Sequence, residues 1–185
     1  MSITSQQMNA ELKIQIDVLI AILGQMKRGV RTEKNNIILR ECIINIVNYI
    51  TSEEISADEA SFCRPRYRLM SQNFFVMWKS NGSPRGVGRL KRIGVCDHIV
   101  PQRILRDRLL AIDNLSHEMA LDFLRGSARF AFITKEENKY LDTLGYRQSM
   151  PENGSRYTKA KIVVFKVDLQ CRAKPADFDT NLLCE

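Results

Sequence analysis

The chain has 185 residues, 44% of them apolar, enough for one core with at most a small helical appendage. Its formal charge of +7 is unevenly spread: eleven Lys or Arg lie between Arg64 and Arg108 against two acids, Asp97 and Asp107, which leaves the rest of the chain at −2. Five scattered cysteines with no C-x-x-C pair exclude a zinc ribbon or a thioredoxin-type site, and the lack of a signal pattern or a long apolar run makes a soluble, cytoplasmic protein with free thiols the expectation.

Residues 7–28 carry Leu12, Ile16, Leu19, Ile20 and Leu23 on one stripe, with Ile14, Val18 and Ile22 beside it, so a helix with a broad apolar face is predicted. Gly29 ends it after Lys27 and Arg28. A second helix is predicted over 33–50, capped by Thr32, with Leu39, Cys42, Ile43, Ile46, Val47 and Ile50 at helical spacing. Residues 1–60 thus read as an antiparallel helical hairpin, a structural platform suited also to dimerisation. The acidic stretch 51–60 is expected to hold a short helix or turn.

Residues 61–170 form the basic domain. Phe74-Phe75-Val76-Met77-Trp78-Lys79 reads as a strand, and residues 80–89, rich in Gly, Ser and Pro, as a loop, either a mobile basic flap on DNA or RNA or a simple surface hairpin. Neither a Walker A loop nor a Rossmann fingerprint is present. Ile93 to Val100 is a β-branched run that places Asp97 beside His98 and stops at Pro101. Burying both side chains without partners would cost several kcal/mol, so each needs a ligand or a bond. Pro101 suits the start of a helix carrying Ile104, Leu105, Leu109 and Leu110. A further helix runs from about Ser116 to Gly126, with His117 in a surface or capping role. Residues 128–133 read as a second buried strand. Thr134 and Glu137 form a capping box opening a helix over 135–144, with Leu141 and Leu144 inward and Asn138 near the apolar edge. After Ser155-Arg156-Tyr157 comes a strand at 161–167. Residues 171–185 are expected to be a poorly ordered tail.

A strand ending Asp97-His98-Ile99-Val100-Pro101, a helical excursion, a second strand and a helix bearing Asn138 resemble the ββα-metal core of the HNH endonucleases over residues 91–145. The fold expected is α+β: an N-terminal helical hairpin, then a ββα-metal-like core with a helical insertion between its two strands. The resemblance implies that His98 is the general base for water, that Asp97 and Asn138 hold one divalent cation (Mg²⁺ first, Mn²⁺ or Zn²⁺ as alternatives), and that Arg156 contacts the phosphate. Asn114 is a weak counterpart of the residue that orients the catalytic histidine in that family. The implied activity is phosphodiester hydrolysis, of double-stranded DNA before RNA, with a homodimer suited to cutting both strands.

The one-sided basic block implies a polyanionic partner, nucleic acid first, and Arg85, Arg89, Lys91, Arg92 and Arg103 are its expected nucleic-acid contacts. The alternative to a nuclease is a non-catalytic DNA- or RNA-binding protein using residues 64–108, with Asp97 and His98 as a satisfied core pair. A third class is an adaptor working through its apolar helices.

Overall fold

The computed structural model describes residues 5–53, 67–84, 87–169 and 176–178, and is mixed α+β. It opens on a helical hairpin, α1 (Ser5–Lys27) and α2 (Glu33–Glu53). The apolar stripes of both helices meet, with Leu19, Ile43, Ile46 and Val47 wholly buried, whereas Ile14 and Val18 of the second α1 stripe stay exposed. No helix among the described residues is long and apolar enough to cross a membrane.

The chain then enters a sheet through β1 (Tyr67–Ser71), followed by α3 (Gln72–Ser80) and α4 (Val87–Ile93). Strand β2 (Val95–His98) leads into α5 (Gln102–Ala111) and α6 (His117–Ser127), then β3 (Phe130–Ile133) and α7 (Lys135–Thr143). A single-turn α8 (Arg156–Lys159), β4 (Val164–Asp168) and β5 (Ala176–Phe178) complete it. The sheet order is β2-β3-β1-β4-β5. All neighbours are antiparallel except β1 and β3, and Asp97 lies opposite Ala131 and His98 opposite Phe130.

Alternation along the strands divides the core. Val95, Leu69, Ala131, Ile133 and Val164 face the larger cluster, which includes α1, α2, α5 and α6. Cys96, Met70, Phe132, Phe165 and Val167 face a smaller one built on Phe74, Trp78 and Leu90 of α3 and α4.

Several expectations change here. The aromatic run 74–79 is helix, not strand. Ser71 caps it by accepting from the Phe74 N–H at 3.1 Å, and Phe74 and Trp78, four residues apart, are the two that are buried. The expected flap is a turn only to Pro84, because Val87-Gly88-Arg89 already belongs to α4; Arg85 lies outside the described residues. Strand β1 carried no clear sequence signal. The segment read as a tail supplies β5, while the rest of 171–185 and most of the acidic stretch 51–60 lie outside the described residues. Leu144 caps the end of α7 and is 39% exposed, so Leu141 alone packs inward.

Gly94 joins α4 to β2 where no side chain fits. A Cβ there would be driven into the Phe74 ring and the Ile133 carbonyl oxygen. The close approach fixes β2 at the sheet edge, with its last two residues at the mouth of a cavity.

Candidate functional site

Asp97 and His98 end β2, and the pleat sends their side chains to opposite faces. On one face α8 closes over Asp97. The capping oxygen of Ser155 accepts from the Tyr157 N–H at 3.0 Å, which starts the short helix and presents two partners. Arg156 Nη2 donates to Asp97 Oδ2 at 2.6 Å and the Tyr157 hydroxyl donates to the same oxygen at 2.7 Å. The Arg156 side chain is only 3% exposed and directs its other donors to the carbonyls of Tyr146 (2.7 Å), Ile99 (3.2 Å) and His98. Burial, and then the neighbouring carboxylate, push the Tyr157 hydroxyl well above its ordinary value, so it stays a donor.

On the other face the His98 ring lies 4.2 Å from the Phe130 ring, tilted by 59°. Its Nδ1 is buried without a hydrogen-bond partner among the described residues. Burial, and then the positive charges of Arg156 and Arg40, depress its pKa from 6.5 to about 4, so the imidazole is neutral at pH 7.

Two cavities meet at this residue. The first, about 390 Å³, lies between α2, α5 and the end of β2, and Arg40, Arg103, Arg106, Arg147 and Arg156 line it together with Asp97 and His98. The second, about 370 Å³, lies along the sheet face formed by Cys96, Phe130 and Phe132, and Arg68 and Lys91 line it. Arg40, His98 and Gln102 line both. The carboxylates near the first do not balance its charge: Asp97 is paired with Arg156, and Asp107 is shared by Arg106 at 2.7 Å and Arg103 at 3.8 Å. Five guanidiniums against two carboxylates leave a positive potential that draws anions and repels free cations.

No family model, curated protein or solved structure matches the chain.

The donor set does not fit the divalent cation that the resemblance implies. Asp97 Oδ2 is already shared by a guanidinium and a phenol. Asn138 continues the α7 ladder through its N–H to Thr134 O, forms no side-chain hydrogen bond among the described residues, and lines neither cavity. Among the described residues no group of three His, Cys, Asp or Glu is placed to hold a metal. Of the two expected ligands, Asp97 lines the first cavity and Asn138 lines neither. Asp97 is engaged instead in an ion pair with Arg156 at 2.6 Å, a charge-assisted bond.

The remaining site residues divide. His98 and Asp97 share a cavity, and Arg103 and Lys91 line the first and second cavities respectively. Arg156 lines the first but is saturated by protein oxygens rather than left free for a phosphate. Arg89 and Arg92 are exposed on α4 and line neither cavity. Asn114 sits exposed in the turn after α5, where its positive φ of 49° suits Asn, and cannot orient His98 from there. His117 is half-exposed beside Asp17 of α1. Sequence reasoning misses Arg40, Arg106, Arg147 and Arg68 as site residues. Arg103 and Arg106 at i and i+3 on one helix carry a signal; Arg40 and Arg147, far from each other in sequence, carry none.

Proposed function

We propose that the chain binds nucleic acid by its phosphates, seating one in the arginine cavity at the end of β2. The observation that supports this is the convergence of five guanidiniums from α2, α5, α8 and the segment after α7 on one cavity with a single lining carboxylate. Guanidinium donors match phosphate oxygens in fork geometry and stay charged at any working pH. DNA is the ligand expected before RNA, as the resemblance implies. Binding of a labelled DNA duplex, followed by anisotropy across a salt series, tests the reading. Replacing Arg103 and Arg147 by Gln is expected to lower the slope of log K against log salt by about one, near 0.9 for the one phosphate no longer neutralised. Replacing Arg89 and Arg92 on α4 leaves it unchanged. The opposite pattern would move the surface to α4.

Phosphodiester hydrolysis at the same cavity is a second reading. It is favoured by His98, which lines the cavity where the phosphate would sit and whose buried Nδ1 has no partner among the described residues, on the antiparallel β2–β3 pair followed by α7. The neutral imidazole can accept a proton from water, and an anion in the cavity offsets the arginine charges that depress its pKa, making it a stronger base when loaded. Incubating supercoiled plasmid with Mg²⁺, Mn²⁺ or EDTA, and comparing His98→Gln with the native chain, separates the two readings. Nicking abolished in His98→Gln with duplex affinity intact supports hydrolysis. Binding without nicking under every condition leaves a phosphate-binding protein.

A further inference from the structure

The second cavity poses its own physical problem. Arg68 projects from β1 into it with 8% exposure, and its Nε has no hydrogen-bond partner among the described residues. Among the described residues no carboxylate pairs with it; its guanidinium lies over the Phe132 ring, with the guanidinium carbon 6.0 Å from the ring centroid. An arginine keeps its charge even where burial lowers its pKa, as it does here. A buried cation without a counter-charge is unfavourable until an anion reaches it, and the apolar floor of Phe130 and Phe132 makes that attraction stronger by excluding water. Lys91 and Arg40 stand at the same cavity, so any anion there meets three cations.

We propose that this cavity is a second phosphate subsite, centred on Arg68, that takes a phosphate neighbouring the one in the first cavity. The identity of the occupant as part of a nucleic-acid chain rests on the function proposed above; the existence of the anion site does not. Arg40, His98 and Gln102 line both cavities and form the divide between them. A linear polyanion crossing that divide places successive phosphates on either side of His98, and the reacting or held linkage lies between two fixed points.

The test uses the full chain and two probes. Thermal melting is followed with inorganic phosphate against chloride at matched ionic strength, for the native chain, Arg68→Gln and Lys91→Gln. The native melting temperature is expected to rise saturably with phosphate. In Lys91→Gln, an exposed position on α4 that leaves the fold intact, the phosphate midpoint weakens about tenfold, as removal of one charge-assisted hydrogen bond would give. In Arg68→Gln the response to phosphate is diminished further, while the phosphate-free melting temperature equals or exceeds the native value, since the uncompensated charge is gone. A purely structural arginine would give the reverse: a lower melting temperature with the phosphate response retained. An unaltered phosphate response in both variants overturns the subsite. The second probe is the duplex salt series, in which each substitution lowers the slope by about one. An unchanged slope with the phosphate response abolished overturns the backbone occupant in favour of free phosphate. Loss of the phosphate response in a chain that binds no DNA supports the anion subsite while the nucleic-acid reading fails.

Discussion

Removing Arg156 would leave the Asp97 carboxylate under α8 with only the Tyr157 hydroxyl against it, and would strip three backbone carbonyls of their donors. Truncating one partner of a buried ion pair leaves an uncompensated charge, so Arg156→Ala is expected to lose about 3–5 kcal/mol by urea denaturation. The double variant Asp97→Asn with Arg156→Met removes both charges together and should recover part of that loss. A single-variant cost below about 1 kcal/mol would show that solvent screens the pair. His98 makes the opposite contribution. Its folded pKa of about 4 lies below the ordinary 6.5, so between those values the unfolded chain takes up a proton that the folded chain refuses. Stability is full above pH 6.5, falls as the pH drops toward 4, and levels off below, by up to about 3 kcal/mol. In His98→Gln that part of the acid limb should flatten when urea midpoints are compared across pH. An unchanged limb would mean the imidazole protonates freely in the fold.

At the scale of elements, the corner that joins α7 to β1 and α3 depends on Glu137. Its carboxylate accepts from the Ser71 hydroxyl at 2.6 Å, from the Asn73 amide at 3.0 Å and from the Thr134 N–H at 2.8 Å, closing the capping box. Glu137→Ala leaves the buried Ser71 hydroxyl and the Thr134 N–H at the helix start unsatisfied, at a cost of about 2–4 kcal/mol in denaturant titrations. A cost no larger than that of an isolated surface cap, about 1 kcal/mol, would show that the link to Ser71 and Asn73 is loose. The capping box could be read directly from Thr134-Lys135-Glu136-Glu137, because both partners lie within one turn. The reach to Ser71 could not, since it spans 66 residues. The same distinction explains the rest. The hairpin helices, the excursion between β2 and β3, and the strand ending in Asp97-His98 are visible as local periodicity or local caps. The run 74–79 is not, because its aromatic and β-branched residues favour strand while burial at i and i+4 decides for helix. Nor was the partner of Asp97, where Arg156 answers from 59 residues away.

For the molecule as a whole, the converging guanidiniums oppose folding. Arg40, Arg103, Arg106, Arg147 and Arg68 converge from α2, α5, the segment after α7 and β1, elements that only the folded chain brings together. In the unfolded chain these groups are solvated and far apart; in the fold they are brought to adjoining cavities and repel one another. Salt screens that repulsion over about 10 Å at 0.1 M, so the native chain is expected to melt higher as NaCl rises from low to moderate concentration. Most surface ion pairs would drive the trend the other way, since screening weakens attraction as well. The Arg103→Gln, Arg147→Gln variant should therefore melt above the native chain at low salt and lose most of the salt dependence, even as it binds DNA less tightly. A native melting temperature that stays level or falls with added salt would mean that the guanidiniums are already balanced, leaving the cavity without the field that a phosphate requires.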